Sequence, residues 1–269
     1  MEHFNRGFNL IYTAHIDTVK QRFLRISDAI EKSYYCDNFI KGGHTYFVGS
    51  YGRNTAINTS DIDVMVVLPN DVKKQFDGHK GNGESHLLQA IRETILKTYP
   101  NTKISADGQV VVVDFTDGMK FEVLPGFKQV NGAYYHPDTH DGGSWKLTYP
   151  FLEQRDMRIK NSQCDGLLYD TCRYIRYIRD EYFKDMSLPG IFIDCFVFNT
   201  VPPSSWVYYH YTPVGQREYL EYLLDSYYEL IRNKCNKLKL PGHSGTIPFT
   251  YESYRLREVL IYWINHIAE

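Results

Sequence analysis

Apolar residues recur at helical spacing near the start of the chain and again after residue 84. The first pattern predicts a long helix over residues 1–34, and the second predicts a helix over residues 84–99 that Pro100 ends. The apolar positions of the two patterns are Phe8, Ile11, Ile16, Val19, Phe23, Ile26 and Ile30, followed by Leu87, Leu88, Ile91, Ile95 and Leu96. Both helices are therefore expected to place one face on a core.

Short β-rich runs predict a small sheet between and after these helices. Residues 44–48 and 61–68 are predicted to be strands joined through a Gly-Ser turn, and residues 71–83 are predicted to be a polar loop. Residues 109–127 contain two β-rich runs on either side of Asp117-Gly118, a dipeptide that strongly indicates a hairpin turn.

After about residue 130 the pattern changes from strands to helices. Helical spacing recurs in the segments 150–160, 165–184, 189–199, 215–236 and 251–267. These patterns predict an α+β protein with a mixed-sheet domain over residues 1–130 and a mainly helical domain over residues 131–269. The N-terminal helix is expected to pack across both domains.

Length and charge restrict the possible functions. At 269 residues, with 43% hydrophobic and 23% charged residues, the chain is long enough for one large domain or two of ordinary size. Its formal net charge is −2, and it has no Lys/Arg run longer than two residues. Both properties disfavour DNA or RNA as a main partner.

Cysteine spacing and hydropathy indicate the compartment. The five cysteines are widely spaced and form no CxxC or Cys/His ligand cluster, so we expect reduced thiols, no structural zinc and a cytoplasmic location. The chain lacks a signal-peptide pattern and an apolar run of 18 residues, which predicts neither secretion nor a membrane span.

The segment FVGSYGRNTAINTSDIDVMVVLP, residues 47–69, places two aspartates at the head of an apolar strand. Because side chains alternate faces along a strand, Asp61 and Asp63 are predicted to share one face while the apolar residues face the core. Neighbouring carboxylates repel each other unless a cation lies between them, and such oxygen ligands suit Mg²⁺ or Mn²⁺. Alternatively, the run from Asn58 to Asp61 is a turn capped by its own side chains, with Asp63 ion-paired at a sheet end.

A Gly-Ser turn precedes the two aspartates. Gly49, Ser50 and Gly52 predict a flexible loop whose backbone N–H groups and serine hydroxyl hold phosphate oxygens. A strand, a Gly-Ser loop and an Asp-x-Asp strand together form an arrangement that places a nucleoside triphosphate against metal ions.

The whole segment GSYGRNTAINTSDIDVMVVL resembles the signature of the polymerase-β-like nucleotidyltransferases. More narrowly, it resembles the cGAS/DncV-like enzymes (CD-NTases) of bacterial anti-phage signalling. The resemblance runs over residues 44–200 and implies a catalytic lobe, a C-terminal helical lobe and an active site in the cleft between them. It also implies a two-metal enzyme, with Mg²⁺ or alternatively Mn²⁺, that condenses nucleoside triphosphates into a cyclic di- or oligonucleotide recognised by a downstream effector.

The resemblance implies the roles of individual residues. Asp61, Asp63 and a third acid are expected to hold the metal and carry catalysis. The residues expected to bind the nucleotide are Gly49, Ser50, Arg53, Ser60 and Arg176.

The third acid of the family lies in a pattern like FDVLPAF, which matches FEVLPGF at residues 121–127 and points to Glu122. Asp114 in VVVVDF is the alternative. If Asp117-Gly118 is a two-residue turn, Val113 lies opposite Glu122, and the neighbouring Asp114 points to the other face. Only one of the two acids can then join the paired aspartates, and the family pattern favours Glu122.

The amphipathic helix predicted at residues 165–183 carries a basic residue in the resembled family, and Arg176 stands there as a candidate triphosphate ligand. An ion pair between Arg176 and Asp180, one helical turn later, is the alternative. Asp194 lies inside an apolar run and needs a partner, and an arginine of this helix is the expected one.

Two other functions remain open at this point. An enzyme of the same fold could transfer a nucleotide to another acceptor, such as a linear oligonucleotide, a tRNA end, a protein or a small molecule. The low net charge disfavours a polynucleotide acceptor. A catalytically weak nucleotide-binding module is the second alternative, suggested by Glu122 in place of the usual aspartate.

Overall fold

The computed structural model describes residues 16–35, 40–202, 213–242 and 245–266. The described residues of 16–52 and 61–151 form one compact unit, which we call the sheet unit. Those of 53–60 and 152–266 form a second compact unit, the helical unit. The predicted α+β class is confirmed. Residues 1–15, where the first predicted helix begins, lie outside the described residues.

A seven-stranded mixed sheet organises the sheet unit. Its strands are β1 (Thr45–Phe47), β2 (Ile62–Val67), β3 (Lys103–Asp107), β4 (Val110–Asp114), β5 (Lys120–Lys128), β6 (Tyr134–Asp138) and β7 (Ser144–Thr148). The first five lie in the order β1-β2-β5-β4-β3, and β6 pairs with both β5 and β7. Strands β2 and β5 pair in parallel, whereas the other pairs are antiparallel.

Two helices, α1 (Ile16–Tyr35) and α4 (Gly83–Thr98), supply the apolar side chains that pack on one face of this sheet. The shorter α2 (Gly49–Gly52) and α3 (Asn70–Asp77) lie between them in the chain. Ile62, Val64 and Val66 of β2 are buried against this helical layer. The predicted inward face of β2 is thereby confirmed.

Helix α3 replaces the first part, residues 71–77, of the polar loop predicted for residues 71–83, whereas residues 78–82 are a loop as predicted. Val72 and Phe76 stand one turn apart and pack against the core, with Phe76 buried. Ion pairs between Asp71 and Lys74 and between Lys73 and Asp77 cross successive turns of the same helix. The prediction was wrong because two apolar residues are too few to show a helical period.

The change from strands to helices comes later in the chain than expected. The prediction placed the domain boundary near residue 130, but the sheet unit extends to Phe151. The Gly/Pro/Asp-rich segment after residue 130 contains β6 and β7, which form a hairpin, and β6 continues the sheet by pairing with the end of β5. The segment after residue 130 therefore belongs to the sheet unit.

The hairpin between β4 and β5 has a register that differs by one residue from the expected one. Val113 lies opposite Phe121, and Val112 lies opposite Glu122. The loop is longer than a two-residue turn, because the Phe115 amide donates to the Met119 carbonyl and Gly118 adopts φ +85°. A three-residue loop with glycine in the left-handed region is the next most common hairpin connection.

This register changes the comparison of the two candidate acids. Asp114 lies opposite Lys120, so Asp114 and Glu122 share a face of the sheet rather than facing opposite sides. The predicted exclusion of one acid by orientation was therefore wrong. Asp117 is a turn residue, as expected, and Arg22 of α1 binds both of its carboxylate oxygens at 2.9 Å.

The helical unit contains the five predicted helical segments. They are α5 (Pro150–Gln163, whose first two residues belong to the sheet unit), α6 (Leu167–Tyr182), α7 (Gly190–Thr200), α8 (Pro213–Arg232) and α9 (Leu256–Asn265), with a small hairpin of β8 (Lys237–Lys239) and β9 (Thr246–Pro248). Across the described parts of both units, every helix is too short or too polar to cross a membrane.

One buried carboxylate of the helical unit accepts hydrogen bonds from three side chains. Asp194 of α7 is fully buried, and its Oδ2 accepts from Arg53 Nε at 2.9 Å, Thr55 Oγ1 at 2.9 Å and Arg176 Nη2 at 2.8 Å. Arg53 also pairs with Glu153 of α5 at 3.1 Å. The expected pairing of Asp194 with an arginine of the preceding helix is confirmed.

Arg53 and Arg176, which the resemblance implies as nucleotide ligands, are both engaged within the protein. Both side chains are buried, and both face Asp194 rather than solvent. Burial alone would raise the pKa of Asp194, but Arg176 and Arg53 outweigh burial and lower the pKa, so the carboxylate stays charged. Asp180, the alternative partner of Arg176, pairs with Arg179 at 2.5 Å instead.

Glycine at the start of α7 leaves room for this network. Arg176 Nη2 donates to the Gly190 carbonyl at 2.9 Å, and a Cβ at Gly190 would lie 2.1 Å from Arg176 Nη1. Any larger residue at position 190 would displace the guanidinium from Asp194.

The substitution Asp194→Asn is expected to lower the free energy of unfolding by about 3–5 kcal/mol, because it removes the counter-ion of the buried Arg176 and one of the two counter-ions of Arg53. Urea denaturation measures the change. Glu221→Gln, which removes the exposed partner of Arg217 in the same unit, serves as the control and is expected to cost less than about 1 kcal/mol. Equal losses in the two variants would contradict the structural role of Asp194.

Candidate active site

Acidic residues on β2 and β5 lie side by side in the sheet unit. Asp63 is the direct ladder partner of Glu122, and parallel neighbours of this kind lie about 4.8 Å apart. Asp61 immediately precedes β2, and alternation along the strand directs its side chain to the same face as Asp63. The structure therefore brings the three predicted carboxylates onto one face of two adjacent strands.

Burial of the opposite face fixes this orientation. Phe121 and Val123 flank Glu122 and are completely buried, as are Val64 and Val66 on the strand beside it. A shift of either strand by one residue would move a carboxylate into the core, so the apolar residues determine where the acids point.

The Gly-Ser segment packs directly on Asp63. It forms the single turn α2 rather than the flexible loop predicted from the sequence, with the Gly52 amide donating to the Val48 carbonyl at 2.8 Å. Gly49 has φ +56°, and a Cβ there would lie 1.9 Å from Asp63 Oδ2. Glycine is therefore required for both its backbone conformation and the close approach of the carboxylate. Ser50, the next residue, has a buried side chain.

A lysine that the sequence reasoning missed lies among the acids. Lys120 Nζ is 2.6 Å from Glu122 Oε1 and 3.0 Å from Asp61 Oδ2. Partial burial lowers the pKa of Lys120, but its hydrogen bonds to the two carboxylates outweigh burial and raise the pKa above the ordinary lysine value. The two carboxylates therefore favour the charged form of the side chain. Its position two residues before Glu122 on the same strand was a readable signal, because residues i and i+2 share a face.

The position of Lys120 shows that this face of the sheet is suited to a cation. Two carboxylates already converge on one positive group, and hard oxygen donors of this kind are those that Mg²⁺ and Mn²⁺ prefer. No group of three acidic, histidine or cysteine side chains stands ready as a metal-ligand set within the described part of the chain. The acids fit a divalent ion provided that the lysine ammonium moves away.

Asp114, the alternative third acid, occupies a less favourable place. It lies on β4, which β5 separates from β2, and its carboxylate pairs with Lys103 at 3.3 Å. Glu122 adjoins Asp63 directly. Distance rather than orientation therefore favours Glu122.

The remaining predicted nucleotide ligands belong to the helical unit. Arg53 and Arg176 bind Asp194, as described above. Ser60 Oγ accepts from the Ile57 amide at 3.0 Å and caps the turn that precedes β2. Ser60 therefore has the role that the alternative interpretation gives to residues 58–61, which is to cap their own turn.

Comparison with known proteins identifies relatives of this arrangement. The sequence profile of the Second Messenger Oligonucleotide or Dinucleotide Synthetase (SMODS) domain matches residues 4–161. A cyclic AMP-AMP-AMP synthase of an Acinetobacter species is 24% identical over 155 residues. That match covers 57% of this chain and 45% of the relative, so the chain spans less than half of the relative's length.

Solved structures share the fold over nearly the whole chain. The CdnE cyclic dinucleotide synthase of Elizabethkingia meningoseptica, solved with GTP and Apcpp, has a TM-score of 0.65 at 16% identity, covering 91% of this chain and 89% of its own. The Rhodothermus marinus CdnE c-UMP-AMP synthase, solved with Apcpp and Upnpp, has a TM-score of 0.61 at 17% identity, covering 94% and 91%. The profile match covers more than half of the chain and the fold agrees with it, so this protein belongs to the SMODS family.

Proposed function

We propose that this protein is a nucleotidyltransferase that condenses nucleoside triphosphates into a cyclic di- or oligonucleotide and releases pyrophosphate. The observation that carries the proposal is the direct pairing of Asp63 with Glu122, with Asp61 on the same face, inside the family's sequence signature. The product is proposed to act as a second messenger in anti-phage defence, read by a downstream effector. The relatives support a cyclic product, because they are a cyclic AMP-AMP-AMP synthase and a cyclic dinucleotide synthase.

Asp61, Asp63 and Glu122 are proposed to hold two Mg²⁺ or Mn²⁺ ions. Bound there, the metal would act as a Lewis acid on the phosphate and make the acceptor hydroxyl easier to deprotonate. Ser50 and Gly49 are proposed to receive the donor triphosphate, since the missing Cβ of Gly49 lets the Asp63 carboxylate lie directly against this turn.

Glu122 has the longest of the three acidic side chains and is proposed to orient the acceptor hydroxyl and receive its proton. The hydroxyl oxygen forms a bond to the α-phosphorus, the bond from that phosphorus to the bridging oxygen breaks, and pyrophosphate leaves. A second transfer within the linear product closes the ring. The protein's contribution is therefore mainly to position charged groups.

A catalytically weak nucleotide-binding module is the second candidate. One observation favours it: the Lys120 ammonium binds two of the three acids that catalysis requires. Such a module would bind triphosphates without releasing pyrophosphate.

Incubation of the protein with all four nucleoside triphosphates and Mg²⁺ or Mn²⁺ is expected to release pyrophosphate and yield a cyclic product without any added acceptor. Mass spectrometry identifies the bases and the ring size. Pyrophosphate release only after an acceptor is added would indicate transfer to another molecule. Nucleotide binding without any release would support the binding module.

The substitution Glu122→Gln is expected to abolish turnover, whereas Asp114→Asn is expected to spare it. Asp61→Asn and Asp63→Asn should lower turnover by at least about a hundredfold, because even outer-shell partners of a metal site are worth ten- to a hundredfold. Turnover is measured as pyrophosphate release at saturating metal. Comparable activity of the Glu122 and Asp114 variants would reject Glu122 as the third acid.

The substitution Gly49→Ala is expected to lower turnover by about a hundredfold, because the added methyl group displaces the Asp63 carboxylate and misplaced reacting groups lose rate on that scale. Gly132→Ala is the matched control: Gly132 also has a positive φ, of +81°, but a Cβ there meets no atom within 4 Å. If both variants lost activity to a similar extent, backbone strain rather than displacement of the Asp63 carboxylate would explain the loss.

A further inference from the structure

Lys120 makes contacts with the acids of the candidate site that the proposed reaction does not use. Its ammonium bridges Glu122 on its own strand and Asp61 at the head of β2, with N–O distances of 2.6 and 3.0 Å. The lysine side chain is about one-third exposed, at 34%, so the ammonium can leave this position for solvent without disturbing the core.

The contacts of Lys120 are specific to the acids of the proposed metal site. The residue opposite Lys120 on β4 is Asp114, yet the carboxylate of Asp114 is held by Lys103. Lys120 therefore neutralises the carboxylates that would otherwise repel each other, and it does so at the place where a divalent ion would bind.

An ammonium group and a divalent ion compete for these two carboxylates. Each N–H donated by Lys120 occupies a lone pair that could otherwise bind the metal, and the two positive charges repel each other at contact distance. Metal binding is therefore expected to displace the lysine.

We propose that Lys120 is an internal cation that competes with the divalent metal for Asp61 and Glu122, so that the metal loads only when the lysine side chain withdraws. This inference rests on the proposed function, because it takes these acids as metal ligands. Lys120 is a positioning residue rather than a catalytic one. It keeps Asp61 and Glu122 together in the metal-free protein and raises the metal concentration needed to load the site.

The two possible roles of Lys120 predict opposite changes in metal affinity when the lysine is replaced. If Lys120 only stabilises the strands, Lys120→Met loosens the acids and weakens metal binding. If Lys120 competes, the same substitution removes the competitor and leaves a more negative site. The nucleotide-free Lys120→Met variant is then expected to bind Mn²⁺ about tenfold more tightly, the factor expected when two partly exposed ion pairs no longer have to be broken.

The experiment is a titration of the full chain with Mn²⁺, without nucleotide, in which electron paramagnetic resonance reports the free ion. Lys120→Arg keeps the charge and the carboxylate contacts, so it is expected not to gain the Mn²⁺ affinity that Lys120→Met gains. Lys128→Met removes the same charge from the far end of β5, roughly 26 Å away at 3.3 Å per residue, and is the matched control expected to leave affinity unchanged. Lys120→Gln, with circular dichroism, provides a second variant should Lys120→Met fold poorly.

Introducing Asp61→Asn into the wild type and into Lys120→Met locates the bound ion. Mn²⁺ binding must weaken in both backgrounds; unchanged binding would place the ion elsewhere and overturn the inference. Equal or weaker Mn²⁺ affinity of Lys120→Met than of the wild type would also overturn it.

Pyrophosphate release, measured on the same samples, separates this inference from the proposed function. Tighter binding by Lys120→Met without pyrophosphate release would uphold the competition and reject the enzyme. Unchanged Mn²⁺ affinity with normal pyrophosphate release would reject the competition and uphold the enzyme.

Discussion

The parallel pairing of β2 with β5 is the constraint on which the candidate site depends. It places Asp63 beside Glu122, while the alternate residues of both strands are buried under α1 and α4. Because a strand cannot shift by one residue without burying a carboxylate, the hydrophobic core and the acidic face determine each other. Three acids on one face repel each other, and Lys120 offsets that repulsion in the protein as described. This negative face needs a cation, and for the same reason it is suited to phosphate chemistry with metal ions.

A second constraint acts within the helical unit. Asp194 is buried among apolar residues and needs positive partners, so it binds Arg53 from the segment before β2 and Arg176 from α6. A buried ion pair of this kind adds little net stability compared with an apolar core, since both charges lose their hydration, but removing one partner is costly. The network also connects α7, α6 and residues 53–55 within one unit.

Much of the site followed from the sequence because strand periodicity is a local property. Alternation alone placed Asp61 and Asp63 opposite the apolar residues of β2, and the same two-residue period would have revealed Lys120 beside Glu122. The hairpin register did not follow, because a two-residue turn and a three-residue loop with glycine share the Asp-Gly signal. The uses of Arg53 and Arg176 did not follow either. Their partner Asp194 is distant in sequence from Arg53, and only tertiary structure shows which carboxylate captures a given arginine.

The most direct test of the central claim is a crystal structure of the protein with Mn²⁺ and a non-hydrolysable nucleoside triphosphate. The account predicts anomalous density among Asp61, Asp63 and Glu122, at about 2.0–2.2 Å from their carboxylate oxygens, the distance that small hard cations adopt. Lys120 should be displaced from both of its partners. Nucleotide density without a metal among these acids, or with Lys120 still between Asp61 and Glu122, would contradict the account.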